Sequence, residues 1–159
     1  MSGPLITDHR GHPVIEDRWD MLHRHPLGRA GEALVSGLER GELVAARCPA
    51  CARVLLPPRT FCERCFAETE LITFEGRVGT LLSFTVVRRP FTGSPDVPFA
   101  IGYARLDGAD TAIGALVDGV DLRPEVGDPP LAVGMAVELV IRGDQTGIGR
   151  LRLTPAGES

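Results

Sequence analysis

Residues 48–51 read Cys-Pro-Ala-Cys, and after ten intervening positions residues 62–65 read Cys-Glu-Arg-Cys. Cys48, Cys51, Cys62 and Cys65 are all the cysteines in the chain. Each Cys-x-x-Cys pair is compact enough for both sulfurs to reach one ion, and four thiolates in two such pairs suit tetrahedral Zn²⁺. Two redox motifs, or a pair of disulfides, are the competing reading. A redox Cys-x-x-Cys opens a helix in a βαβ setting. These pairs instead lie among Pro, Arg and short apolar runs, a pattern of turns and short strands. Four cysteines also close the metal's shell, whereas a catalytic zinc keeps one position open. The spacing therefore predicts one structural zinc, folding a segment too short and too polar to hold itself together. Ribbon knuckles often carry Gly after the second Cys, where the backbone is left-handed. Ala52 and Phe66 occupy those positions here, which predicts local strain or altered geometry.

Outward from the ribbon, the chain divides into an arm and helix (1–41), the ribbon (42–73) and a barrel (74–159). Residues 1–26 hold all four histidines, His9, His12, His23 and His25. Their loose spacing, broken by Pro13 and Pro26, argues against a second metal site. A weakly ordered arm with a helical turn around Asp17–His23 is expected, with Trp19 either tucked on its own domain or docked on a partner. Residues 29–40 read as a helix: Ala30, Leu34 and Leu38 recur at four-residue spacing, flanked by Leu27 and Val35, and Gly41 offers a C-cap. Gly31 and Gly37 count against it, each costing about 1 kcal/mol relative to Ala. Leu43–Arg47 and Val54–Leu56 enter and leave the first knuckle, and Phe61 and Phe66 are placed to cover the ribbon's apolar side.

From Gly76 five strand-like runs follow: Arg77–Val87, Phe99–Leu106, Thr111–Val117, Ala136–Ile141 and Arg150–Thr154. Asp107-Gly108 marks a hairpin, and Gly127–Pro130 and Gly143–Gly147 mark turns. Gly79 predicts a bend or bulge in the long first strand. The pattern is mainly β and fits a five-stranded OB-fold, a small Greek-key barrel.

Catalysis finds little material. Every Cys is assigned to metal, every His precedes the ribbon, and the barrel acids fall mostly at turns, where Asp is expected for backbone reasons. Asp118 and Asp121 form a weak candidate carboxylate pair. No phosphate loop or triad spacing appears, so the chain alone is not expected to be an enzyme. A ribbon plus an OB-fold also suggests single-stranded nucleic acid, which needs a basic groove and stacking aromatics. With net charge −4, neither half basic, and 5% aromatics, that alternative is disfavoured. All 17 basic residues are Arg, in every segment alike, which reads as coding bias. No apolar run reaches membrane-spanning length. Residues 1–20 lack an apolar signal-peptide centre, and metal-bound cysteines fit a reducing compartment, so a cytoplasmic location is expected.

Gly41-Glu42-Leu43-Val44, the paired cysteines, Pro57-Pro58-Arg59, Gly76-Arg77-Val78 and Val133-Gly134-Met135-Ala136-Val137 together resemble a known family. It comprises the acyl-CoA-associated OB-fold proteins filed as domain of unknown function thirty-five. The likeness covers about residues 29–155. It implies an N-terminal helical part, a rubredoxin-like zinc ribbon and an OB-fold. It also implies a non-catalytic partner of a thiolase-fold enzyme (thiolase, lipid-transfer-type aldolase or acyltransferase) that helps hold the CoA thioester. The residues can support this. The loop Arg88–Pro98 lies at a usual OB ligand edge. There Arg88 and Arg89 could meet CoA phosphates, and Phe91 could cover an acyl chain or anchor the partner. A solvated Arg pair and an ordinary loop Phe are the plainer alternative.

Overall fold

The computed structural model describes residues 5–7, 9–15, 26–91, 93–123 and 131–157. Strands β1 (Leu5–Thr7) and β2 (Pro13–Ile15) form an antiparallel pair. Helix α1 (Gly28–Glu39) follows, then β3 (Val44–Arg47), β4 (Val54–Leu55) and β5 (Glu70–Thr73). The barrel strands are β6 (Val78–Val87), β7 (Phe99–Leu106), β8 (Ile113–Val117), β9 (Ala136–Ile141) and β10 (Leu151–Pro155). This strand pair within the arm was not among the elements expected from the sequence. β-branched residues flank a turn whose Gly11 takes a positive φ of 80°, which glycine adopts without steric cost. The helical turn expected at 17–23, with Trp19 and His23, lies outside the described residues, as do His25 and the turn at 127–130.

Helix α1 forms because Ala30, Leu34 and Leu38 fall on one face and are buried. It ends in a Schellman arrangement: the Gly41 N–H donates to Leu38 O and the Glu42 N–H to Gly37 O, with Gly41 at φ 78°. Leu27 departs from expectation: it sits at the N-cap, mostly exposed, too early in the turn to reach the core. Gly37 is required rather than merely tolerated. A Cβ there would lie 2.6 Å from Val44 Cγ2, so its absence lets α1 settle on β3.

β3 is the centre of a three-stranded antiparallel ribbon sheet, with β4 and β5 at its edges. The five later strands close into a barrel in the order β10-β8-β7-β6-β9. All its pairings are antiparallel except β8–β10, which is parallel; this is the OB-fold closure. Inward positions alternate along β7, where Ala100, Gly102, Ala104 and Leu106 are buried. The bulge in β6 does not fall at Gly79 but between Leu81 and Ser83. Gly79 keeps regular pairing with Leu106 and Val137. Its missing side chain is explained by close approach: a Cβ would stand 2.3 Å from Arg105 O. One apolar core runs through all three parts, joining Leu34 and Leu38 of α1, Leu43, Ala45, Val54 and Leu56 of the ribbon, and Leu81, Leu106, Leu139 and Leu153 of the barrel.

Candidate functional site

The two knuckles are built alike. In the first, Cys48 N–H donates to Arg53 O and Ala52 N–H to Cys48 O; in the second, Cys62 N–H donates to Ala67 O and Phe66 N–H to Cys62 O. Each turn needs a left-handed residue after its second Cys. Ala52 (φ 60°) and Phe66 (φ 56°) take that conformation, the only non-glycine residues with positive φ among the described residues. The expected strain is therefore localised, at roughly 1–2 kcal/mol per residue. The turns bring the four Sγ atoms within 4.8 Å of one another. Cys48–Cys65 are 3.3 Å apart, and Cys51–Cys62 and Cys51–Cys65 3.7 Å. Four Zn–S bonds of about 2.3 Å in a tetrahedron put sulfurs roughly 3.8 Å apart. The cluster fits a zinc ion, held by Cys48, Cys51, Cys62 and Cys65.

Backbone amides prepare the sulfurs for negative charge. The N–H groups of Cys65 and Arg64 point at Cys62 Sγ and pull its thiol down to about 7. Cys65, crowded by the Cys48 thiol, is pushed up to about 12. Without metal the cluster cannot carry four thiolates together; a divalent cation supplies the compensating charge. Cys48 and Cys62 are buried, and Cys65 is at the surface. Phe61 and Phe66 do not cover the ribbon as expected. They are 57% and 81% exposed: Phe66 occupies the left-handed position of its knuckle, and Phe61 sits in an isolated bridge with Glu68. Among the described residues this is the one cluster of potential ligands.

The second candidate region is the loop after β6. Arg88 donates from Nη1 to Leu122 O at 3.1 Å, so its guanidinium is partly committed to the segment after β8. Arg89 is exposed. Phe91 is exposed and meets Phe99 edge-on, with ring centroids 6.3 Å apart. Phe91 thus packs over the buried Phe99, and along β7 the same strand face continues through the half-buried Ile101 to the exposed Tyr103. Beside it lies a groove of about 270 Å³ lined by Ile101, Tyr103, Leu116 and Ile148 among others. Asp118 and Asp121 are not a carboxylate pair. Asp118 binds Arg142 (3.1 Å) and Arg152 (3.5 Å), while Asp121 binds Arg123, which holds its carboxyl down at about 2.

Residues 35–70 match the family described as "ChsH2, rubredoxin-like zinc ribbon domain", and residues 74–142 match "ChsH2, C-terminal OB-fold domain". Together the matches cover about two thirds of the chain. The chain belongs to the ChsH2 family. A chain of a solved structure described as an "Ltp2-ChsH2(DUF35) aldolase" superposes with a TM-score of 0.66 at 21% identity, covering 84% of this chain and 100% of that one. A second, a protein of unknown function from the DUF35 family of Sulfolobus solfataricus, gives 0.60 at 21% identity, covering 81% and 87%. At this identity both likenesses speak for the fold. No curated protein matches the chain.

The ChsH2 ribbon and barrel matches meet near residue 70–74, where β5 hands over to Phe74, a buried residue whose N–H donates to Leu43 O. Sequence reasoning missed how this ChsH2-family ribbon is fastened to its barrel. Asp110 and Thr111 read as turn and strand-start residues, yet both bond to β4 and the residue after it. Only the polar pair just beyond the Asp107-Gly108 turn, after Ala109, hints at it. No helix among the described residues is long and apolar enough to cross a membrane.

Proposed function

We propose that this chain is a non-catalytic, zinc-binding accessory subunit that docks on a thiolase-fold enzyme and supports binding of its acyl-CoA substrate. The observation that carries the reading is the extent of the structural likeness. The ribbon-then-barrel layout spans the whole of the matching chain in the Ltp2-ChsH2(DUF35) aldolase. The chemistry of the chain agrees. All four cysteines lie in one metal cluster, and no His or Cys follows residue 65, so the barrel offers neither a strong nucleophile nor an imidazole base. The exposed Phe91 and Tyr103 offer aromatic anchors of the kind interfaces favour. Three of the barrel's eight arginines pair with its acids, Arg123 with Asp121, and Arg142 and Arg152 with Asp118, and the chain as a whole carries a net charge of −4. An acidic balance of this kind disfavours a nucleic-acid backbone. Arg89, with the outer Nη of Arg88, remains to meet a CoA phosphate.

Kinetics of the enzyme partner with and without this chain test the reading. The isolated chain should turn over no acyl-CoA. Replacing Arg88 and Arg89 by Ala should raise the partner's KM for the thioester about tenfold, the scale of one charge-assisted hydrogen bond, while leaving assembly intact. Thioester cleavage by the pure chain would sink the accessory-subunit reading. An unchanged KM in the double variant would remove the two arginines from the CoA site.

A further inference from the structure

We propose that Asp110 and Thr111, on the barrel's β7–β8 loop, are positioning residues of the zinc centre, acting through β4 and Arg53. The barrel then supplies a third wall to a metal site whose ligands all lie in the ribbon.

The geometry is specific. Asp110 and Val54 exchange two hydrogen bonds: Val54 N–H donates to Asp110 Oδ2 at 2.8 Å, and Asp110 N–H donates to Val54 O at 2.8 Å. Thr111 and Leu56 exchange two more: Leu56 N–H donates to Thr111 Oγ1 at 2.7 Å, and that hydroxyl donates to Leu56 O at 2.9 Å. The loop thereby serves β4 as an added strand would, and it satisfies backbone groups that the two-residue β4 cannot pair inside the ribbon.

Arg53 carries the effect to the metal. Its N–H points at Cys51 Sγ, and its C=O accepts the Cys48 N–H. Its guanidinium reaches Glu63, inside the second Cys-x-x-Cys, at 2.7 Å, and Asp110 O at 3.4 Å. One residue thus touches both knuckles and the barrel loop. Partners that orient ligands in this way set metal affinity, and losing one typically costs 10–100-fold. Neither the family matches nor the cysteine spacing assigns this role, and it is independent of the docking reading.

The test is zinc release from the purified full-length chain to a chelating dye, with Co²⁺ substitution as a spectroscopic check. Asp110→Ala and Thr111→Val should release zinc about tenfold faster or more, and the Co²⁺–thiolate bands should shift in both. Thr111→Ser keeps the hydroxyl and should restore the wild-type rate and spectrum. Val137→Ala, a barrel-core change outside these contacts, should lower the Tm yet leave the release rate unchanged. Should Thr111→Val fail to fold, Arg53→Gln carries the same test from the ribbon side. Wild-type release in Asp110→Ala and Thr111→Val would overturn the proposal. So would acceleration by Val137→Ala matching theirs, since general instability would then explain the loss.

Discussion

The ribbon and the barrel sit on one chain and share one core, yet they are held by different physics. In the barrel, Leu81, Leu106, Val137, Leu139 and Leu153 are almost wholly removed from water. Each contributes about 1.5–3 kcal/mol by burial. The ribbon has two-to-four-residue strands and leaves Phe61 and Phe66 in solvent. It spends backbone strain at Ala52 and Phe66 to bring four sulfurs together. Leu43 and Leu56 join the shared core, but the two knuckles bury little apolar surface of their own, and metal ligation is the usual remedy. The contrast teaches that stability in this chain is local in cause. The metal should matter most where the core is thinnest, and core packing where it is thickest.

Removing a ligand should break the comparison most completely. Structural zinc in such sites is worth about 10–16 kcal/mol, as much as a whole domain's net stability of about 5–15 kcal/mol. Replacing any of Cys48, Cys51, Cys62 or Cys65 by Ser should yield insoluble or unfolded protein, checked by elemental analysis and circular dichroism. A soluble, well-folded metal-free chain would end the ribbon account.

Next in size, Leu139→Ala on β9 should cost about 2–5 kcal/mol, seen in denaturant melts, while the protein still carries one zinc. Metal loss in step with it would deny the two regions their separate causes. Smaller again, Gly37→Ala should cost about 1–3 kcal/mol through the forced shift against Val44. Smallest, Ala52→Gly and Phe66→Gly should each raise stability by up to about 1 kcal/mol by relieving a left-handed non-glycine residue. A loss of stability at either site would show that its side chain, not its backbone, is what the knuckle needs.

Much of this was legible in the sequence, for reasons that can be named. Barrel strands appeared within one or two residues of their observed ends because period-2 burial and turn residues are local signals. The metal site was legible because a tetrahedral ion constrains ligand spacing, and the backbone demand at Ala52 and Phe66 followed from the knuckle itself. What failed depended on contacts distant in sequence. Gly79 reads as a bend or bulge because the approach of the Arg105 carbonyl cannot be read from its neighbours. Phe61 and Phe66 read as a cover for the ribbon because hydrophobicity says nothing of side-chain direction. Asp110 reads as turn chemistry and Thr111 as a strand start, since their partners Val54 and Leu56 lie 56 and 55 residues away. Arg88 looked free until Leu122 O was seen to accept from it.

The most direct test of the account is the native mass of this chain when co-expressed with the thiolase-like protein encoded nearest to it. The account predicts a hetero-oligomer containing one zinc per copy of this chain, stable to moderate salt. A chain that stays apart from that enzyme, and instead binds oligonucleotides tightly and salt-sensitively, would contradict it.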